Sequence, residues 1–305
     1  MSDFWSWFII VIVVINLLGC GGLLLWNNQI SAEEAAKETT GHSFDGIQER
    51  NAPLPRWWLF LFIGTLIFSA VYLVLYPGFG KFDGVLGWTS DNQYQKEVAV
   101  MEKSTGPLFE QYGQVAIEEL VEYPEALAVG GRLFANNCAI CHGSDARGAK
   151  GYPNLADDDW LYGGEPDQIV TSITKGRKAA MPPMAAAIGN TDEAVRDMAL
   201  YVQSLSRPDL AKDSQKAAAI ERAKPKFAMC AACHGQDAKG NIMMGAPNLT
   251  DTTWLYGPRV EDIEYTIRHG RSGHMPPHES LLSKERIHVI AAYVYSLSQG
   301  ANSAE

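Results

Sequence analysis

Residues 138–143 read CAICHG, and residues 230–235 read CAACHG. Four further landmarks follow each of these hexapeptides in the same order: PNL from Pro153 and Pro247, WLYG from Trp160 and Trp254, MPP from Met181 and Met275, and YVxSLS from Tyr201 and Tyr293. Each landmark recurs after 92 or 94 residues. Two copies in one order indicate a tandem duplication of a domain, since a solenoid needs more copies. We predict domains at residues 128–207 and 208–305, the first and second repeats.

Each repeat is predicted to be mainly helical. Thr191 and Ser283 stand where helix N-caps belong. The following apolar residues recur at helical spacing: Ala194, Val195, Met198, Val202 and Leu205, then Ile287, Ile290, Ala291, Val294 and Leu297. Polar, glycine-rich stretches at 143–164 and 235–260 separate the helices, and no alternating β pattern of useful length appears. A domain of about 80–90 residues with this much loop has a thin core, so we expect a bound group at its centre.

The Cys-x-x-Cys-His pattern is typical of covalent attachment of haem c. The two thiols add across the haem vinyl groups, and the histidine binds the iron from one face. We therefore predict two covalently bound haem c groups, attached through Cys138, Cys141, Cys230 and Cys233, with His142 and His234 as iron ligands. The alternatives are a thioredoxin-like redox pair, which does not require the histidine, and half of a zinc site. A zinc site would need further cysteines, and only Cys20 remains.

The sixth iron ligand is predicted to be methionine, the usual partner of histidine in electron-transfer cytochromes c. Met181 and Met275 occupy the same place in the two repeats, and two prolines follow each of them. Met184 aligns with His278, so that position does not hold one ligand type, and Met198 lies on the predicted core face. We expect Met181 and Met275 each to bind the iron of its own repeat. Six-coordinate iron leaves no open position for peroxide or oxygen chemistry, so one-electron transfer is the predicted activity.

Each iron-bound histidine needs a hydrogen-bond acceptor for its other ring nitrogen. In cytochromes c this acceptor is a backbone carbonyl shortly after the haem motif, and Pro153 and Pro247 are the matching candidates. Three alternative roles fit Trp160 and Trp254. They line the haem pocket, they donate an N–H to a haem propionate, or they act only as large core residues. The sequence leaves these three roles open.

Two uncharged apolar stretches precede the repeats, at residues 4–26 and 57–76. Twenty helical residues reach about 30 Å, the thickness of the hydrocarbon core of a bilayer, and aromatic residues lie near the ends of both stretches. We predict transmembrane helices at 1–26 and 57–76 rather than buried core helices. The alternative for the first stretch is a signal peptide or a lipid anchor at Cys20, but the positive charges that precede such signals are missing.

Charge sets the expected orientation of the two spans. The segment 27–56 carries Lys37, Arg50 and Arg56, while the N-terminus before the first span carries no basic side chain, so we predict a cytoplasmic loop. The N-terminus, the connector at 77–127 and both repeats then lie outside the cytoplasm, where haem c is attached. The whole chain has a net charge of −10 and no basic run, so we expect no nucleic-acid partner.

The segments DGIQE at 45–49, PLPRWW at 53–58, YPGFG at 76–80 and LGW at 86–88 resemble the dihaem subunit of cbb3-type cytochrome c oxidases, called CcoP or FixP. The resemblance covers nearly the whole chain, and PLPRWW is its family-specific part. It implies a mainly α protein with two transmembrane helices followed by two tandem class I cytochrome c domains. Many family members have one span, so the first helix is an addition whose role the sequence does not give.

The resemblance also implies a non-catalytic, electron-transfer role in an oxygen-reducing, proton-translocating complex of the bacterial inner membrane. The haem domains would lie in the periplasm. Electrons would pass from a donor cytochrome c, through this subunit, to a monohaem cytochrome c subunit and then to the catalytic haem–copper subunit. Neither span contains a histidine, so we expect the oxygen chemistry in a partner chain, with membrane lipid as the other contact. Two alternatives stay open: a free-standing, membrane-tethered dihaem shuttle and an electron-accepting subunit of a membrane dehydrogenase.

Overall fold

The computed structural model describes residues 1–29, 39–50 and 54–302. The chain folds into two compact units, residues 1–104 and 105–305. Helices dominate both units, and the strands of the described part form two short antiparallel pairs.

The first unit contains two long apolar helices, α1 (Asp3–Asn27) and α2 (Arg56–Leu75). Each begins and ends within one or two residues of a predicted span, and each is long and apolar enough to cross a membrane by length and composition alone. The start of α1 lies beside the chain that follows α2. There the Lys81 backbone N–H donates to the Ser6 hydroxyl at 2.9 Å, and the Lys81 ammonium pairs with Asp3. The two helices are therefore antiparallel, with these two ends on the same side.

The segment between α1 and α2 contains a hairpin that the sequence analysis does not predict. Strands β1 (Thr39–Phe44) and β2 (Ile47–Arg50) pair antiparallel, with Phe44 opposite Ile47. Asp45-Gly46 forms the turn, and Asp-Gly is a strong hairpin signal. Residues 30–38 and 51–53, Lys37 and Pro53 among them, lie outside the described residues.

The connector and the repeats are mainly helical, as expected. The connector contains α3 (Ser90–Gly113) and α4 (Ile117–Leu120). The first repeat continues with α5 (Pro124–Asn137), α6 (Ala139–His142), α7 (Pro166–Lys175), β3 (Arg177–Met181), α8 (Ala185–Ile188) and α9 (Asp192–Ser206). The second contains α10 (Ser214–Ala223), α11 (Ala228–His234), α12 (Val260–His269), β4 (Arg271–Met275) and α13 (Lys284–Asn302), with 3₁₀ turns at Pro208–Lys212 and Lys224–Phe227.

The predicted N-cap of α9 is confirmed. The Thr191 hydroxyl accepts the Ala194 backbone N–H at 3.1 Å, which satisfies one of the unpaired donors in the first turn of the helix. Ser283 accepts the Arg286 N–H at a longer 3.4 Å before α13. Both C-terminal helices therefore begin where the sequence places them.

The two repeats exchange their C-terminal helices. Helix α13 of the second repeat packs against α5 and α7 of the first, and α9 of the first repeat packs against α10 and α12 of the second. The packing thus does not follow the predicted boundaries at 128–207 and 208–305. The repeats therefore form two packed bodies. Each body combines the N-terminal helices of one repeat with the C-terminal helix of the other.

Each body has its own core cluster. The first cluster includes Phe134, Ile169 and Ile173 from the first repeat and Ile287, Ile290 and Val294 from the second. The second cluster includes Val195, Met198 and Val202 from the first repeat and Phe227, Ala231 and Ile263 from the second. Reciprocal aromatic pairs mark the two helix crossings, with ring centroids 5.5 Å apart for Phe134 and Tyr293 and 5.3 Å apart for Tyr201 and Phe227.

A short strand pair joins the two repeats. Strands β3 and β4 run antiparallel over five residue pairs, from Arg177 opposite Met275 to Met181 opposite Arg271. These strands lack a clear apolar alternation and find each other only through the folded repeats, so the sequence does not predict them. The pairing places the two Met-Pro-Pro segments at opposite ends of one small sheet, about 13 Å apart along the strands.

Candidate functional site

Both Cys-x-x-Cys-His motifs end on buried histidines. His142 is 8% exposed and His234 is 7% exposed. The His142 Nδ1 lies 3.0 Å from the Pro153 carbonyl oxygen, and the His234 Nδ1 lies 2.9 Å from that of Pro247. Because a carbonyl only accepts, each Nδ1 carries the proton and donates, which leaves Nε2 with a free lone pair. The prediction of Pro153 and Pro247 as acceptors is confirmed.

The electrostatics at the first motif favour a neutral imidazole. Burial lowers the pKa of His142, the hydrogen bond to the Pro153 carbonyl opposes this change, and His278 lowers the pKa further. A neutral imidazole is the form that binds a metal ion. The low pKa of His142 therefore prepares its Nε2 for coordination.

The motif cysteines are partly buried, and none of the chain's five cysteines, all within the described residues, forms a disulfide. Burial raises the pKa of the Cys138 thiol to about 11, with a smaller contribution from Cys141. Burial also raises the pKa of Cys230, again with a contribution from its neighbour Cys233. Both thiols are therefore uncharged near neutral pH.

Met275 belongs to the second repeat, but it packs against the core cluster that the first motif also contacts. Met275 packs against the first cluster together with Cys138. The segment after it is fixed there, because the His278 backbone N–H donates to the Ile173 carbonyl at 3.0 Å. The expectation that each methionine serves its own repeat does not agree with this packing.

The second motif shows the reciprocal arrangement. Met184 of the first repeat packs against the second cluster together with Cys230. Its backbone N–H donates to the Ile267 carbonyl at 2.8 Å, the counterpart of the bond made by His278. Met181 lies three residues before Met184, at the end of β3, so the same segment carries a second thioether.

Two tryptophans and two arginines complete the surroundings. Trp160 packs against the first cluster and Trp254 against the second, each with the motif of its own repeat. Arg177 lies 4.6 Å from the Tyr162 ring centroid, and Arg271 lies 4.1 Å from that of Tyr256. These arginines are not among the predicted site residues. The repeat could have revealed them, because each arginine occurs four residues before a Met-Pro-Pro methionine.

Comparison with known protein families identifies the chain. Residues 36–83 match the family described as the N-terminal domain of cytochrome oxidase-cbb3, FixP. Residues 125–202 and 218–294 match the family described as cytochrome c oxidase, cbb3-type, subunit III. This chain belongs to the cbb3-type subunit III family.

Relatives in this cbb3 family match along most of their length. The CcoP subunit of Rubrivivax gelatinosus is 47% identical over 311 residues, which cover 100% of this chain and 99% of that protein. The FixP subunit of Sinorhizobium medicae is 38% identical over 290 residues, or 88% of this chain and 96% of that protein. The CcoP subunit of Cereibacter sphaeroides is 34% identical over 279 residues, which cover 86% of this chain and 95% of that protein. The predicted family and fold class, mainly α with two apolar N-terminal helices and two cytochrome c segments, are confirmed.

The residues present fit haem c, the group that membership of this cbb3 family implies. A thiol pair, a buried histidine with its Nδ1 proton held by a carbonyl, and a thioether from the other repeat match the donor set of a haem c with histidine and methionine ligands. Within the described residues no group of three or more His, Cys, Asp or Glu side chains is placed to hold a metal ion. The cysteine pairs therefore lack the further ligands of a structural zinc site there.

Proposed function

We propose that this cbb3-family chain is a membrane-anchored dihaem electron-transfer subunit of a cbb3-type terminal oxidase. The observation that carries the proposal is the reciprocal packing, in which each Cys-x-x-Cys-His motif meets a methionine segment from the other repeat. Two equivalent sites of this kind support two haem c groups. The chain itself is non-catalytic in this proposal, because a histidine and a methionine at each site would leave the iron no open position.

The proposed ligand sets cross the repeats. Cys138 and Cys141 would attach the first haem, and His142 and Met275 would bind its iron. Cys230 and Cys233 would attach the second haem, and His234 and Met181 would bind its iron. When bound, haem c supplies a one-electron iron couple whose potential is raised by methionine ligation.

The chain's own residues hold each site in one geometry. The Pro153 carbonyl holds the ring of His142 through Nδ1 and leaves its Nε2 free to bind an iron. Trp160 and the first cluster keep water from the same region. A site with rigid ligands and little water changes shape little when an electron arrives, which suits electron transfer.

The proposed partners are a donor cytochrome c, a monohaem cytochrome c subunit and a catalytic haem–copper subunit. Electrons reach this chain from the donor and leave it toward the oxygen-reducing subunit. The chain crosses the bacterial inner membrane twice, and the haem domains lie in the periplasm. The contacts of Lys81 with Ser6 and Asp3 support two antiparallel spans. Reporter fusions after residue 29 and after residue 88 test this topology, which requires a cytoplasmic and a periplasmic signal, respectively.

Methionine variants test the ligand sets. Met275→Leu is expected to leave one haem without its sixth ligand, so that this haem binds carbon monoxide and its reduction potential falls. Met181→Leu does the same for the other haem. Met184→Leu is the matched control, and it leaves both haems six-coordinate. If Met184→Leu opens the second site and Met181→Leu does not, the second ligand is Met184.

The role in the complex is tested with two reductants. The oxidase is purified with and without this subunit, and oxygen uptake is measured with the donor cytochrome c and with a small artificial reductant that reaches the catalytic core directly. Loss of the subunit should abolish donor-driven uptake and spare artificial-reductant-driven uptake. Loss of both rates in a spectroscopically intact core contradicts the relay. Isolation of the chain without haem–copper partners would favour a free shuttle or a dehydrogenase subunit.

A further inference from the structure

Two glycines touch the backbone of the proposed ligand methionines across the repeats. Gly176 follows α7 in the first repeat, and a Cβ at this position would lie 2.3 Å from the carbonyl oxygen of Met275. Gly270 follows α12 in the second repeat, and its Cβ would lie 2.3 Å from the carbonyl oxygen of Met181. Both glycines have positive φ, 68° and 71°. The same close contact therefore occurs twice, each time between repeats.

The methionine backbone cannot move away easily. Met275 is held in the β3–β4 ladder opposite Arg177, and Pro276 and Pro277 follow it. Proline has a fixed φ, so the chain after the methionine carbonyl has little freedom to rotate. A Cβ at Gly176 would also approach the carbonyl carbon of Pro276 at 2.8 Å. A side chain at residue 176 must therefore displace the segment that carries the Met275 sulfur.

We propose that Gly176 and Gly270 are positioning residues that set the two axial methionines from the opposite repeat. Gly176 places Met275 at the haem of the first motif, and Gly270 places Met181 at the haem of the second. Their absent side chains let α7 and α12 approach the methionine carbonyls, and this close approach fixes the distance from each thioether to its iron position. The inference rests on the proposed methionine ligation.

Gly176→Ala combines two effects that a control separates. One effect is the strain of a side chain at positive φ, and the other is the clash with the Met275 carbonyl. Gly151 also has positive φ, 91°, but a Cβ there would find its nearest neighbour, an atom of the Tyr256 ring, at 3.5 Å. Gly151→Ala therefore introduces the strain without the clash and is the matched control.

The test uses the full chain loaded with haem and three spectroscopic readouts: the sulfur-to-iron charge-transfer band, carbon monoxide binding by the reduced protein, and the two reduction potentials. Gly176→Ala is expected to remove one haem's share of the band, to let that haem bind carbon monoxide, and to lower its potential. Gly270→Ala does the same at the other haem. Gly151→Ala leaves all three readouts at their wild-type values. Covalent haem content stays the same throughout.

Two comparisons make the outcome decisive. Met275→Leu should affect the same haem as Gly176→Ala. Combining Met275→Leu with Gly176→Ala should lose no more of the charge-transfer band than either single variant. Pro276→Ala frees the backbone after Met275, so adding it to Gly176→Ala should restore part of the lost band. If Gly176→Ala alone yields too little haem-loaded protein, the variant that combines Gly176→Ala with Pro276→Ala is measured instead.

The positioning role is overturned if Met275→Leu removes the band and Gly176→Ala does not, or if Gly151→Ala matches Gly176→Ala. If Met275→Leu leaves both haems unchanged, the ligand assignment fails first, and the positioning role fails with it. These results are distinguishable because the methionine variants report on ligation and the glycine variants report on placement.

Discussion

Arg222 binds both carboxylate oxygens of Asp197, with its Nε and Nη2 each 2.8 Å from one oxygen. Asp197 lies on α9 of the first repeat and Arg222 on α10 of the second, so this pair ties the exchanged helix to its new neighbour. Asp197 is only 7% exposed. A two-point bond to a buried carboxylate fixes orientation as well as distance.

Asp197→Asn is expected to lower the thermal unfolding midpoint by several degrees. The change keeps the side-chain shape, removes the charge, and leaves a buried amide facing a guanidinium. Asp192→Asn is the control: Asp192 also meets an arginine, Arg268 at 2.7 Å, but its side chain is 97% exposed. Exposed ion pairs contribute little, so the control should keep the wild-type midpoint. Equal shifts for both variants would contradict the structural role of the buried Asp197 carboxylate.

A matched pair of core variants tests the helix exchange. Met198 and Ile290 occupy the same place in the two repeats, and both are almost fully buried, at 1% and 0% exposure. Met198→Ala and Ile290→Ala should each reduce the free energy of unfolding by about 2–5 kcal/mol. Because Met198 lies in the second cluster and Ile290 in the first, each variant should loosen the haem site of the other repeat.

Haem-resolved potentiometry and carbon monoxide binding measure where the loosening occurs. Met198→Ala should affect the haem that Met181→Leu affects, and Ile290→Ala the haem that Met275→Leu affects. If Ile290→Ala instead perturbs the site of its own motif, His234, the exchanged packing is wrong.

The pKa of Asp251 predicts a pH-dependent stability. Burial raises this pKa, the Thr253 N–H opposes the change, and the carboxylates of Asp159 and Asp157 raise it further. The folded chain thus holds this proton more tightly than the unfolded chain, so ionising Asp251 costs stability. The cost is fully present above the folded-state pKa and disappears as the pH falls below the ordinary value of 3.8.

Asp251→Asn should therefore raise the free energy of unfolding at pH 7, and the gain should shrink to nothing below about pH 3.8. Denaturant titrations across this pH range measure the change. Asp237→Asn is the control, because Asp237 likewise accepts the N–H of the residue two positions on but is exposed. A gain that persists at pH 3, or a loss at pH 7, would show that Asp251 acts through something other than its buried charge.

The local features of the site follow from the sequence. The motif histidines and their acceptors at Pro153 and Pro247 can be assigned because a fixed spacing brings them together within one loop. The two long apolar helices and the helix N-cap at Thr191 are equally predictable, since hydropathy and capping are local properties of the sequence.

The exchange between repeats cannot be predicted in the same way. The carbonyls of Ile173 and Ile267 occupy the same place in the two repeats, and they accept the backbone N–H groups of His278 and Met184, respectively. His278 and Met184 also occupy the same place, so either N–H group would suit either carbonyl. A duplicated sequence contains the same local signals whether its halves pack within or between copies. The choice depends on the short link between the repeats and on the β3–β4 pair, whose residues carry no clear apolar alternation. The Asp45-Gly46 hairpin is different, because its turn signal is local and is present in the sequence.

Cutting the chain between residues 207 and 208 separates the two packing schemes. If each repeat were a domain, residues 1–207 would keep a complete haem site with His142 and a methionine of the same repeat. In the exchanged arrangement this fragment lacks α13, β4 and Met275. The fragment should then show no methionine-ligated haem at the first motif and should be readily digested by protease in membranes.

Helix α13 contributes several buried side chains to the first cluster. Ile287, Ile290 and Val294 of α13 are buried in the first cluster, at 2%, 0% and 4% exposure. Burial of such side chains contributes about 1.5–3 kcal/mol each, while a whole domain is stable by only about 5–15 kcal/mol. Loss of these three side chains alone removes much of that margin, before the missing haem ligand is considered.

Co-expression of the two halves is the decisive control. Residues 208–305, given an export signal, supply α13, β4 and Met275 in trans and should restore protease resistance and the methionine-ligated spectrum of the first motif. The spectrum of membranes that contain residues 1–207, with and without the second half, measures this rescue. A fragment 1–207 that alone matches the full chain in haem ligation and protease resistance would show that the first repeat is self-sufficient and that the exchange does not exist.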